Sequence, residues 1–132
     1  MSQENVEIVR RANAAVNRAD AASLSELLDD DIAWWDREDD LDATVHRGRD
    51  GVSQALIELS DDIADLRVEV KEYIDAGDHV ITPVRVTGRG RTSGASFEED
   101  EVHVLKLREG KVTEVREYRD LREALKAVGL EE

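Results

Sequence analysis

The 132-residue chain has no cysteine, one proline, one methionine and five aromatic residues. Without cysteine there is neither a disulfide framework nor a thiolate metal site. No window approaches the roughly 20 apolar residues that span a bilayer. The polar, acidic start Met1-Ser2-Gln3-Glu4-Asn5 lacks the basic and apolar regions of a secretion signal. Positive charge is scarce as well: 18 Lys and Arg face 32 Asp and Glu, for a net charge of −14. Nucleic acid and anionic membranes both need a basic footprint, so neither is an expected partner. A cytoplasmic protein is the expectation, its acidity read as a solvated surface.

What remains is ordinary globular material. Hydrophobic residues make up 40% of the chain, enough to fold despite the charge. The length suits a single domain over residues 1–132 that buries roughly two-thirds of its unfolded surface. Val6, Val9, Ala12 and Val16 recur at helical spacing and predict a first helix over about residues 4–18. Asp20 reads as the N-cap of a short second helix carrying Leu24, Leu27 and Leu28, ended by the like charges of Asp29-Asp30-Asp31. Ile32, Trp34 and Asp36 then alternate with Ala33 and Trp35 as a strand. Residues 37–48 lack periodicity and read as a loop, and Asp50 reads as the cap of a third helix with Val52, Ala55, Leu56 and Leu59 on its buried stripe.

From about residue 65 the period changes from 3.6 to 2. Leu66 to Val70, Val80 to Val86, residues 97–108 and Lys111 to Tyr118 read as strands. Pro83 suggests an edge or bulge in the second of these, and Gly88, Gly90 and Gly94 a flexible connection after it. Asp120 with Glu123 matches a capping box for a terminal helix, and Gly129 stands where a C-cap glycine belongs. Helices followed by a meander of long strands give an α+β domain. A strongly bent sheet over those helices would enclose a pocket.

The aromatic scarcity makes Trp34-Trp35-Asp36 conspicuous. A carboxylate walled by indole is a candidate proton-transfer group, because desolvation raises its pKa. Alternation puts Trp34 and Asp36 on the pocket side and turns Trp35 away. The plainer reading of Asp36 is a strand-end aspartate that caps the next loop. His103 shares a face with Leu105 and Leu107. It is either a satisfied core histidine or, if Asp36 reaches the same cavity, the second half of a proton-shuttling pair. Trp34 and Leu105 are candidate pocket walls, and Tyr118 a candidate phenol donor to a ligand oxygen or, more plainly, a rim residue. His46 and His79 sit in loop and turn contexts and read as solvated. The three histidines lack His-Glu-x-x-His spacing and the aspartate run lacks the alternation of a calcium loop, so no metal is expected.

Ala14-Ala15-Val16-Asn17-Arg18-Ala19-Asp20, Leu28-Asp29-Asp30-Asp31, Arg47-Gly48-Arg49-Asp50-Gly51-Val52, His103-Val104-Leu105, Arg108-Glu109-Gly110-Lys111-Val112 and Tyr118-Arg119-Asp120 occur in an order and spacing that resemble one family. Over residues 4–130 the chain is similar to the SnoaL-like, ketosteroid-isomerase-like branch of the NTF2-like superfamily. The resemblance implies an α+β cone, its curved and largely antiparallel sheet wrapped around N-terminal helices over a deep apolar pocket. It also implies frequent homodimers, and a range from isomerases, cyclases, dehydratases and epoxide hydrolases to non-catalytic binding modules. Asp36 falls where ketosteroid isomerases keep their general base. Ala12 replaces their first-helix tyrosine donor, and His103 stands about where they keep a protonated aspartate. The Asp–Arg–Asp triad of the epoxide hydrolases has no match. Steroid isomerisation is therefore not expected, since losing one oxyanion donor typically costs about 10²–10³ in rate.

The expectation is a small-molecule pocket for a mostly apolar organic ligand, with acid–base chemistry of isomerase, cyclase or dehydratase type by Asp36 and His103 and no cofactor. The alternative is a non-catalytic ligand-binding or dimerisation module of the same fold. A transport adaptor like the superfamily's namesake would need an exposed apolar groove that the sequence does not show.

Overall fold

The computed structural model describes residues 2–39, 41 and 43–129. Helices α1 (Ser2–Asn17) and α2 (Ala21–Glu26) come first, followed by β1 (Leu28–Trp35), β2 (Val45–Arg47) and α3 (Gly48–Asp62). Strands β3 (Ile63–Val70), β4 (Ile74–Ala76), β5 (His79–Gly90), β6 (Ser96–Arg108) and β7 (Lys111–Tyr118) follow, and α4 (Leu121–Ala127) closes the chain. The strands form one curved, unclosed sheet in the order β2-β1-β7-β6-β5-β3, with β4 beside β5. Among the described residues only the β1–β7 pair is parallel. This is the expected α+β cone.

The concave face and the helices share the main core, in which Val9, Ala12 and Ala15 of α1 meet Leu24, Leu28, Ile32, Val52, Leu56, Val80, Val112 and Val115. Helix α1 is tied down by polar contacts too. The Asn17 side chain accepts from the Val68 backbone N–H at 2.7 Å and donates to the Val68 carbonyl at 3.0 Å. On the convex face a second cluster, Ile81, Val102, Val104 and Ala124, is covered by Leu121, Leu125 and Val128 around α4. Period-2 alternation along β6 thus feeds two cores: odd positions face the cone, even positions face α4.

Capping at Asp20 and Asp120 is as expected, each side chain accepting from a backbone N–H three residues on. Gly129 follows α4 at φ +76°, the left-handed conformation a helix-ending glycine supplies. Several boundaries differ from the sequence reading. Helix α3 begins at Gly48 with Arg47 as its N-cap, so Asp50 lies within the first turn rather than capping it. Leu59 is 42% exposed rather than on the buried stripe. The Asp29-Asp30-Asp31 run does not end α2; it belongs to β1, where the register against β7 slips between Leu28 and Ala33. The bulge sends the acids outward while Leu28 and Ile32 both stay buried.

Within the expected loop 37–48, whose positions 40 and 42 lie outside the described residues, β2 pairs with β1. Strand β4 is likewise an addition to the sequence reading. Pro83 sits in an interior strand, not an edge. It lies opposite Val102 of β6 while its carbonyl accepts from Lys71 N–H, in the interval between the β3 and β4 pairings. N–H and C=O of an extended residue point the same way, so the missing N–H falls where no strand needs it. Gly88 and Gly90 are strand residues rather than a flexible connection. A Cβ on Gly88 would meet Ile63 Cγ2 at 2.6 Å and the Phe97 ring at 3.0 Å.

Candidate functional site

Five strands supply walls of a cavity of about 370 Å³ inside the cone, within the range of small-molecule sites. Alternation on β6 presents Phe97, Glu99, Glu101, His103 and Leu105 to it, β7 presents Val115 and Glu117, and Trp34 and Asp36 stand at the end of β1. Val9, Ala12, Val16 and Leu24 close it from the helices, and Val68 and Thr82 from β3 and β5. A recess of about 460 Å³ adjoins it beneath α3, sharing Trp34, Asp36, Leu59 and Glu117 and adding Thr44, His46, Glu58 and Asp62. Leu59, half in solvent, lies where these spaces reach the surface.

The polar part of the cavity is a cluster made by register. His103 lies directly opposite Glu117 across the β6–β7 pair, and Glu101 is two residues back on the same face. His103 Nε2 lies 2.9 Å from Glu101 Oε1 and 4.0 Å from Glu117 Oε2. The Trp34 indole N–H donates to Glu117 Oε2 at 2.9 Å. Arg37, paired with Asp39 at 2.8 Å, reaches Glu101 Oε2 at 3.7 Å from outside the cavity. The side chains of Glu101, His103 and Glu117 are only 11%, 13% and 16% exposed.

Burial and charge push the titrations in opposite directions here. Desolvation pulls the His103 imidazole towards neutrality, but the Glu101 hydrogen bond and the Glu117 and Glu101 charges outweigh it and hold its pKa above the ordinary value. Burial raises the Glu117 carboxyl above the usual carboxylate range, reinforced by Glu101 and Asp36 and opposed by His103 and the Trp34 N–H. An imidazole biased towards its protonated form, facing an acid that resists ionisation, can serve as a proton store next to an apolar space.

Asp36 and His103 line the same cavity but do not touch. Asp36 has its own partners: His46 Nε2 lies 3.3 Å from Oδ1, and the Thr44 N–H donates to Oδ2 at 3.3 Å. His46, on β2 opposite Trp34, is thus a partner of Asp36 rather than a solvated loop histidine. Trp34 and Leu105 are walls of the cavity. Trp35 faces the other way, its ring stacked by Arg116 at 4.4 Å and Arg47 at 5.5 Å. Tyr118 is on that outer side too. Alternation turns Glu117 inward and Tyr118 into a groove with Trp35, Arg116 and Arg119, so its phenol does not reach the cavity.

Glu101 and Glu117 were missed because a strand carboxylate usually marks the solvent face. The signal was available: an inward His103 makes Glu101, two positions earlier, inward as well. Donor atoms of Glu101, His103 and Glu117 all lie within 4.8 Å of one another, a spacing that also suits a cation. A metal ion would have to take the His103 nitrogen from Glu101.

A bent α+β sheet over helices, with titratable groups at the end of an apolar cone, defines a small-molecule pocket protein of the NTF2-like type. Residues 9–115 match the SnoaL-like domain, and the chain belongs to that family. An NTF2-like protein of Burkholderia xenovorans LB400 is 31% identical, with a TM-score of 0.75 over 91% of this chain and 92% of that one. A ketosteroid-isomerase-like fold from Catenulispora acidiphila DSM 44928, solved with trimethylamine, is 23% identical, with a TM-score of 0.78 over 94% and 93%. A protein described as a SnoaL-like polyketide cyclase, from Jannaschia sp. CCS1, is 21% identical, with a TM-score of 0.79 over 96% and 92%. No curated protein is significantly similar in sequence. Among the described residues no helix is long and apolar enough to cross a membrane.

Proposed function

We propose that the protein binds a small, mostly apolar organic molecule in the cone and moves a proton on it. Asp36 accepts the proton and the His103–Glu117 pair returns one, as an isomerisation, cyclisation or dehydration requires. The observation that carries this reading is the convergence of Asp36, Glu101, His103 and Glu117, from β6, β7 and the end of β1, on one cavity with largely apolar walls. The trimethylamine in the Catenulispora neighbour supports cones of this shape admitting small organic ligands.

One observation favours a second reading. Asp36 is already held by His46 and Thr44, as in a binding module that does no chemistry. Cyclohexanone in D₂O separates the two. Catalysis requires chemical-shift changes at Val115, Leu105 and the Trp34 indole together with faster deuterium uptake at the ketone's α-carbons. Asp36→Asn should then lose on the order of 10²–10⁴ of that acceleration. Binding without exchange supports the module, and neither signal sinks both. We further propose the homodimer that the family resemblance implies, for which sedimentation should report twice the 14.8 kDa chain mass.

A further inference from the structure

We propose that the cone selects an organic cation, a molecule with an apolar body and a protonated amine whose ammonium group sits against the carboxylates of Glu101 and Glu117. This rests on the small-molecule reading above and names the ligand's charge.

The cavity is acidic. Its lining carries the carboxylates of Asp36, Glu99, Glu101 and Glu117, with His103 as the one basic side chain among the described lining residues. The adjoining recess adds Glu58 and Asp62 against His46. Low-dielectric walls strengthen such a field and repel anions from the space. Arg37 offsets part of the Glu101 charge, but it does so from outside the lining and shares its guanidinium with Asp39. The excess of carboxylates survives that pairing.

The carboxylates gather at one place, with the acceptor oxygens of Glu101 and Glu117 and the His103 nitrogen within 4.8 Å. An ammonium group has three donors and no acceptor, and each carboxylate has more acceptor sites than the recorded contacts use. Trp34 stands beside the cluster, held through its bond to Glu117, and an indole wall is favourable to a cation. Val9, Val16, Leu24, Leu105 and Val115 then take the apolar body. A bare divalent ion has no use for those walls.

Burial favours the neutral Glu117 acid, while an arriving ammonium favours the carboxylate, so binding expels a proton. The groups that face the cluster are Trp34 from β1, Asp36 and Arg37 from the loop after it, His46 from β2, Glu99, Glu101 and His103 from β6, Glu117 from β7, and Glu58 and Asp62 from α3. Apart from Arg37 and the imidazoles all are acidic or neutral. Affinity for a cation therefore rises with pH from 5 to 8.

Calorimetry with cyclohexylammonium, cyclohexanol and cyclohexanecarboxylate, all sharing one ring, tests this on the intact chain. Cyclohexylammonium should bind about tenfold or more tighter than cyclohexanol, the gain expected of hydrogen bonds to charged groups. The carboxylate should not bind, and proton release should show in two buffers of different ionisation enthalpy. Glu117→Gln should remove the preference for the ammonium over cyclohexanol. Equal binding of cyclohexanol and cyclohexylammonium overturns the cation proposal and leaves the pocket reading intact. Binding by none of the three sinks both. Zinc chloride displacing cyclohexylammonium through Glu101 and Glu117 overturns the organic-cation assignment in favour of a metal. The wild-type comparison decides the matter even if the variant does not fold.

Discussion

Glu117 stands between two opposing forces. Burial favours its neutral acid, while the Trp34 N–H at 2.9 Å and the His103 imidazole favour the carboxylate. Glutamine keeps the shape and the acceptor for Trp34 but never ionises. Glu117→Gln is therefore expected to match or exceed the wild type in urea midpoint at pH 8; a clear loss there would show that the ionised form is structurally required. Asp36, His103, Trp34 and Leu105 were legible because hydrophobic alternation assigns a strand's faces without any tertiary knowledge. Glu101 and Glu117 were hidden by the same rule, which counts charge as exterior. His46 was hidden differently. Its strand is three residues long, and only pairing with β1 makes it a strand at all. Tyr118 shows how easily such a placement slips: one position along β7 separates the cavity from the outer groove.

At the level of elements, caps and periodicity carried most of the information. Asp120 bonds the Glu123 N–H at 2.9 Å, and Asp120→Ala should cost about 1 kcal/mol of stability by denaturant titration, as helix-cap losses do. No measurable change would mean that α4 is held by Leu121, Leu125 and Val128 alone. Gly88 makes a sharper case. The sequence reads it as part of a flexible connection, yet its missing side chain is what lets β5 pass Ile63 and Phe97. Gly88→Ala should destabilise by roughly 1–3 kcal/mol, the cost of overpacking, whereas a flexible connection would tolerate it. The bulge in β1 was illegible for a related reason. Three adjacent aspartates look like a helix stop, and nothing local reveals that Leu28 and Ile32 anchor a strand on either side of them.

Across the whole molecule, the pH dependence follows from the directions of the shifts. Asp100, held down to about 2 by Arg85 and Lys71 from an ordinary 3.8, contributes stability that is present above 3.8 and lost as pH falls through about 2. Asp20 and Asp39 are lowered in the same sense. His103 and Glu117 act oppositely, because their pKa values are raised from 6.5 and 4.5. Their contributions are complete below those ordinary values and are lost as pH rises through the folded ones. Repulsion within a chain of net charge −14 also grows as carboxylates ionise. Thermal melts from pH 3 to 9 should therefore peak on the acid side of neutrality, and a maximum above pH 8 would contradict these directions. The family and the cone were legible from motif order, since Asp20, Asp120 and Gly129 punctuate the same elements in sequence and structure. The ligand was not, because its recognition depends on which strand carboxylates turn inward.

Strand register gathers the titratable groups Glu101, His103 and Glu117, nearly buried, in a largely apolar cavity. The most direct measurement is a side-chain ¹³C-carboxyl NMR titration of the glutamates, with Glu117 assigned by its loss in Glu117→Gln. Glu117 is expected to titrate clearly above 4.5, with the His103 ring responding in the same range. A Glu117 midpoint at or below 4.5, with His103 unresponsive, would contradict the buried cluster and the proton chemistry built on it.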